Sequence, residues 1–149
     1  MKGQQATGFA APQLNVAEVF LAAELSPTVQ RRVLYCELRE RSDHPDADAL
    51  FDAVKQRLPD VSLATVYRNL RSFVNAGMAT ELKVEGSSSR WDGNTERHHH
   101  LLCSACGNVS DFFSEELDQL GNSLELDSGF EVQGLDVRVT GLCGDCRAP

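Results

Sequence analysis

The sequence predicts an α+β chain, an N-terminal winged helix-turn-helix unit followed by a small α/β unit, on three observations. Residues 26 to 77 hold three short segments with apolar residues at helical spacing, and a two-stranded alternation follows them. The second half carries two Cys-x-x-Cys pairs, Cys103 with Cys106 and Cys143 with Cys146. A chain of 149 residues is one domain or two small ones, and units below about 80 residues usually need a staple.

Composition narrows the class. There is no run of about 18 apolar residues and no basic stretch leading into an apolar core at the start. The expectation is a cytoplasmic protein with no membrane partner. Five cysteines, four of them paired at short spacing, point to metal binding rather than disulfides in such a chain. A net charge of −8 speaks against a polyanionic partner, but its distribution matters more. Residues 26 to 84 carry nine Lys/Arg against eight Asp/Glu, whereas 85 to 149 carry four against twelve. The first half is free to approach a polyanion, and the second suits cations.

Residues 1 to 25 read as a loose extension ending in a short helix with Val16, Val19, Phe20 and Leu21, an amphipathic arm packed on the domain. Ser26 and Pro27 predict the next helix start, as N-cap and first helical residue, with Val29, Val33, Cys36 and Leu38 inward and Arg31, Arg32, Arg39 and Arg41 on other faces. Cys36 reads as a small core residue. Asp43, His44, Pro45 and Asp46 form a turn, because a residue before proline is pushed away from helix. Asp46 caps a helix with Ala47, Leu50, Phe51, Val54 and Leu58 on its apolar face, ended by Pro59 and Asp60. Ser62 caps a third, with Leu63, Val66, Leu70, Phe73 and Val74 inward and Thr65, Tyr67, Arg68, Asn69 and Arg71 outward.

Gly77 stops that helix, and Ala79 to Val84 with Ser89 to Asp92 read as a two-stranded wing around residues 85 to 88. A hydrogen-bonding outer face on the last of three short helices suits entry into a DNA groove. From pattern alone a plain three-helix scaffold serves as well. Further on, Val109 to Phe113 reads as a strand, and Ser114 caps a helix with Leu117, Leu120 and Leu124. Phe130 and Val132, then Leu135, Val137 and Val139 after Gly134, read as strands with a break in phase. So small a sheet has an edge that seeks a second copy of the chain.

Two kinds of ligand set stand side by side. Thiolates at Cys103, Cys106, Cys143 and Cys146, in pairs 36 residues apart, suit a closed tetrahedral structural Zn(II) site. His98 and His100 point to one side of an extended segment and His99 to the other, so His98 and His100, with Asp92 and Asp111 nearby, suit a harder divalent ion. Three successive histidines also fit a solvated polar patch, and His44 by itself reads as a turn residue.

Ser62 to Leu70 (Ser-Leu-Ala-Thr-Val-Tyr-Arg-Asn-Leu), the His98-x-His100-Leu-x-Cys103-x-x-Cys106-Gly107 segment and the final Cys143-x-x-Cys146 together resemble the ferric-uptake-regulator family of metal-dependent transcriptional repressors, over roughly residues 26 to 147. The resemblance implies an N-terminal extension over 1–25, a winged-helix DNA-binding domain over 26–84, a hinge over 85–92 and a metal-binding dimerisation domain over 93–149. It is nearest to the peroxide-sensing branch, whose regulatory Fe(II) or Mn(II) site would here be His44, Asp92, His98, His100 and Asp111. Iron-uptake sensors typically carry Glu where Asp111 stands. Iron-uptake sensors also commonly have a further site, which would need ligands near 97, 99, 118 and 135, where Arg97 and Leu135 cannot serve.

By the same resemblance, zinc braces a homodimer, and the ion bridging both halves sets the separation of the two recognition helices. Tyr67 and Arg68 would contact bases and Arg71 and Thr65 phosphates of double-stranded DNA, at a palindromic, AT-rich operator. Peroxide, the one small-molecule signal, would oxidise His44 or His98 by metal-catalysed oxidation and open the clamp, without enzymatic turnover. The alternative within the family is an iron- or manganese-responsive uptake repressor. Outside it stand a small metallohydrolase, which lacks an evident general base, and a zinc-ribbon interaction module, which needs no ligands across a hinge.

Overall fold

The computed structural model describes residues 15–126 and 129–147. The loose start expected over residues 1–14 lies outside the described residues. Helix α1 (Val16–Ala22) is capped by Asn15 and sends Phe20 into the core, while Leu21 stays exposed rather than joining the inward face. Phe20, Tyr35 and Phe73 then meet edge to face, with ring centroids 5.5 to 6.1 Å apart, so the arm is packed on the three following helices.

Helix α2 (Val29–Glu40) corrects two expectations. Its N-cap is Thr28, whose hydroxyl accepts from the Arg31 N–H, not Ser26. The Ser26 carbonyl instead takes the Thr28 N–H and the Arg31 guanidinium, which leaves Pro27 outside the helix. The buried face is Leu34, Tyr35 and Leu38; Val29 is 66% exposed and Cys36 only half-buried. The stripe is rotated because Phe20 arrives against Tyr35.

Helices α3 (Ala47–Lys55) and α4 (Leu63–Asn75) follow their caps as expected, with Asp46 accepting from the Ala49 N–H and Ser62 from the Thr65 N–H. Ala47, Leu50 and Val54 meet Val66, Leu70 and Phe73 in one core. Asn69 departs from its expected outward place. It is buried, and its Oδ1 accepts from Arg31 Nε at 3.3 Å, so a polar side chain ties α4 to α2. Gly77, at φ +70°, ends α4 in the left-handed region that glycine tolerates.

Strands β1 (Thr80–Leu82) and β2 (Arg90–Asp92) pair antiparallel as the wing. Thus β2 takes up the last three residues of the segment expected to act as a hinge. A three-stranded sheet of order β4-β3-β5 follows, built from β3 (His99–Cys103), β4 (Val109–Phe112) and β5 (Arg138–Gly141). β3 and β4 are antiparallel, and β5 joins β3 in parallel from the far end of the chain. Helix α5 (Glu115–Ser123), capped by Ser114, lies between them in sequence, and a single turn, α6 (Gly144–Arg147), follows Cys143 and carries Cys146. The expected strand at Phe130 and Val132 is absent; among the described residues of this segment only Arg138–Gly141 forms a strand. Leu120, Leu124, Phe130, Val139 and Leu142 are left exposed on this half.

Candidate metal centres

The four paired cysteines converge. Sγ atoms of Cys103, Cys106, Cys143 and Cys146 lie within 4.8 Å of one another, with Cys106 and Cys143 3.8 Å apart. Two thiolates bound tetrahedrally at about 2.3 Å from one ion stand about 3.8 Å apart, so the set fits zinc. The knuckle turn after β3 brings its pair together, with Gly107 at φ +71° and its N–H donating to the Cys103 carbonyl. Electrostatics point the same way. N–H groups of Cys143 and Cys106 draw the Cys103 thiol down to about 6, while the neighbouring Cys143, Cys106 and Cys103 push Cys146 up to about 12. Four thiolates so close cannot all ionise without a cation between them.

The second cluster is nitrogen and oxygen. One donor atom from each of His44, Asp92, His98, His100 and Asp111 falls within the same 4.8 Å limit, and His44, Asp92 and His100 are buried. His44 lies in the turn before α3 and Asp92 ends β2. They are pinned together because the Trp91 N–H donates to the Pro45 carbonyl, bonding β2 to the His44 turn. His44 itself is held at φ +48°, a left-handed conformation that costs a non-glycine residue on the order of 1 kcal/mol. His98 precedes β3, His100 lies on it, and Asp111 lies opposite His100 on β4.

Separations within the cluster are short: His98 Nε2 to Asp92 Oδ2 2.8 Å, His98 Nε2 to His100 Nε2 3.0 Å, and His44 Nε2 to Asp111 Oδ1 2.8 Å. Yet His44 Nε2 and Asp111 Oδ1, both buried, make no hydrogen bond of acceptable geometry among the described residues. Two donors almost in contact but not aimed at each other fit a common third partner. Three imidazoles and two carboxylates suit Fe(II) or Mn(II), whose charge the carboxylates balance.

Packing imidazoles and carboxylates this closely shifts how they titrate. Burial opposes a charge on His44, but the close Asp111 carboxylate, with the further charge of Asp92, outweighs it and raises its pKa. The Asp92 hydrogen bond lifts His98 to about 9 against the opposing effect of burial. Burial pushes the Asp92 carboxyl up, but hydrogen bonds from His100, His98 and the Asn94 N–H hold it below the usual carboxylate range.

His99 turns the other way, with Nδ1 accepting from the Val137 N–H and Nε2 3.4 Å from Asp118. Arg97 Nε stands 3.3 Å from the same carboxylate oxygen, and Leu135 packs close to Gly121, so side chains fill the region of 97, 99, 118 and 135. The remaining expected residues are far from both clusters in kind. Arg68 and Arg71 are exposed on α4, Tyr67 is half-buried against the core, and Thr65 bonds Ser62 and Arg68. Asp136, which no local spacing marks, stands 3.4 Å from His100 Nδ1.

Comparison with known proteins agrees with this arrangement. The model of the ferric uptake regulator family matches residues 22–140. A peroxide-responsive repressor, PerR, of Staphylococcus epidermidis is 35% identical over 120 residues, 80% of each chain. The solved Campylobacter jejuni peroxide stress regulator is similar at 30% identity and TM-score 0.72, over 88% of this chain and 96% of that one. A zinc-bound manganese uptake regulator is similar at 27% identity and TM-score 0.65, over 87% of this chain and 99% of that one. With a family model matching most of its length and both metal clusters assembled, this chain belongs to the ferric uptake regulator family.

Proposed function

We propose that the chain is a cytoplasmic, metal-dependent transcriptional repressor that binds a palindromic, AT-rich operator as a homodimer and senses peroxide through oxidation of His44 or His98. The observation that carries this reading is the five-donor cluster, in which His44 of the winged-helix half and Asp92 at the end of the hinge meet His98, His100 and Asp111 of the sheet half. The proposed division is an extension over 1–25, a DNA-binding domain over 26–84, a hinge over 85–92 and a dimerisation domain over 93–149. Cys103, Cys106, Cys143 and Cys146 hold zinc and brace the last of these. Exposed Leu120, Leu124 and Val139 offer a second copy its apolar contact.

The ligand residues do the switching. A cation can shift the arrangement of the halves only by binding one arrangement better, and donors drawn from both halves supply that difference. With them held together, α4 presents Tyr67 and Arg68 to bases and Thr65 and Arg71 to phosphates at a fixed spacing in the dimer. The chemistry that Fe(II) supplies when bound is one-electron reduction of peroxide, which Mn(II) does not support. With iron held there, one oxygen of peroxide would replace a ring hydrogen of His44 or His98 while the other leaves as water, the imidazole giving up two electrons in all; that would remove a donor and release the two halves, once per molecule and without turnover.

The likeness to PerR relatives favours peroxide as the signal; the likeness to a manganese uptake regulator supports a second reading, a repressor answering to the metal alone. Promoter binding and peptide mass, each measured before and after one equivalent of peroxide, separate them. Iron-loaded protein is expected to lose DNA and gain one oxygen on the peptide carrying His44 or His98, and manganese-loaded protein to do neither. Release of DNA with no oxygen on either peptide removes the histidine chemistry; no response to peroxide leaves the metal-responsive repressor.

A further inference from the structure

We propose that Asp136 is a positioning residue for the five-donor site, its carboxylate receiving the outer nitrogen of His100 so that the inner one faces the other donors. The inference rests on reading that cluster as a metal site. His100 Nε2 lies 3.0 Å from His98 Nε2 and 3.3 Å from Asp92 Oδ2, so Nε2 is the atom that would ligate a cation, which would leave the ring proton on Nδ1. Nδ1 is buried and has no hydrogen bond among the described residues. Asp136 Oδ1 stands 3.4 Å from it, a few tenths of an ångström beyond an ordinary N–H···O bond.

The three histidines of the cluster differ in this respect. His98 Nδ1 is already met by the Glu96 carbonyl at 2.6 Å, its own chain two residues back. His44 Nδ1 has no partner among the described residues. His100 alone of the three is faced by a carboxylate, and a carboxylate behind a ligating imidazole fixes its tautomer and orientation.

Asp136 reaches that place through the fold. Pairing of β5 with β3 sets Arg138 opposite His100, and the His100 N–H donates to the Val137 carbonyl at 3.0 Å, which leaves Asp136 beside the ring. Asp136, His98 and His100 share the wall of a cleft of about 700 Å³. The Asp136 side chain is 63% exposed whereas the His100 side chain is 5% exposed, so the carboxylate reaches in from solvent and adds little to the packing of the fold.

The test is Mn(II) affinity of zinc-loaded protein, read from the spectroscopic signal of free Mn(II), for wild type, D136A and D136N. D136A is expected to bind about tenfold more weakly, the lower end of what loss of a ligand's outer partner costs. D136N keeps an oxygen facing Nδ1 and is expected to recover most of that loss, while the unfolding midpoint of the manganese-free protein is the same in all three. Affinity of D136A equal to wild type overturns the role of Asp136 and leaves the metal site standing. Equal losses in D136A and D136N assign the effect to charge alone and also overturn it. Wild-type protein that takes up no Mn(II) at these five residues overturns the metal site and this inference together.

Discussion

Protons and a metal ion compete for the five-donor cluster, and the competition gives the manganese-free protein an unusual pH dependence. His98 is lifted from 6.5 to about 9 in the folded chain, chiefly by its hydrogen bond to Asp92. A group whose pKa is raised on folding stabilises the fold fully below its unfolded value and loses that contribution as pH rises through the folded one. At about 1.4 kcal/mol per pH unit the His98 proton is worth about 3 kcal/mol below pH 6.5, lost by about pH 9. His44 shifts in the same direction and adds to the loss. Asp92 is shifted down, so its contribution is present above its ordinary value and disappears only in strong acid. Zinc-loaded, manganese-free protein is therefore expected to lose stability as pH rises above 6.5, with an unfolding midpoint falling roughly 6 to 12 °C by pH 9. Mn(II) needs the same imidazoles unprotonated, so the stabilisation it adds grows over that interval. Thermal unfolding at pH 6, 7, 8 and 9, with and without Mn(II), measures both trends. A manganese-free midpoint that is flat or rising above pH 6.5, or an unchanged fall in D92N, would refute the assignment of that proton to His98 and Asp92.

Other perturbations test the frame around the site. A Cβ at Gly93 would stand 3.0 Å from the Leu38 side chain and 3.1 Å from its carbonyl, so G93A is expected to cost about 1 to 3 kcal/mol in denaturant unfolding and, by moving Asp92, to weaken Mn(II) binding. F73A removes the ring that meets both Phe20 and Tyr35 and is expected to cost about 3 to 5 kcal/mol, with zinc content unchanged; a smaller loss would mean that the three rings are not the centre of the core. C143S is expected to release zinc and with it the order of β5 and α6, read as loss of amide protection there, because structural zinc contributes on the order of 10 kcal/mol. R71A is expected to weaken DNA binding evenly across sequences and to lower its salt slope by about one.

What could be read from the residues alone was what neighbouring residues decide. Caps at Asp46, Ser62 and Ser114, the stop at Gly77 and the two cysteine knuckles depend on chemistry within a few positions, and the structure has each in place. Features set by distant chain did not show. The buried face of α2 is chosen by Phe20 arriving from α1, and Asn69 is drawn inward by Arg31. Asp136 meets His100 only because β5 adds to β3 in parallel, a pairing that no local periodicity encodes. His44 reads as an ordinary turn residue, and only the resemblance to a family placed it among the ligands. In the structure the bond from Trp91 to Pro45 fixes its turn to the strand that ends in Asp92.

The most direct measurement is operator affinity as Mn(II) is titrated into wild type, H44A and D111A, all zinc-loaded. Wild type should tighten by about 5- to 150-fold, the usual span of coupling between two sites, and both variants should stay at the metal-free level with their zinc retained. Variants that tighten as wild type does would show that the cluster joining the two halves does not control the binding of DNA.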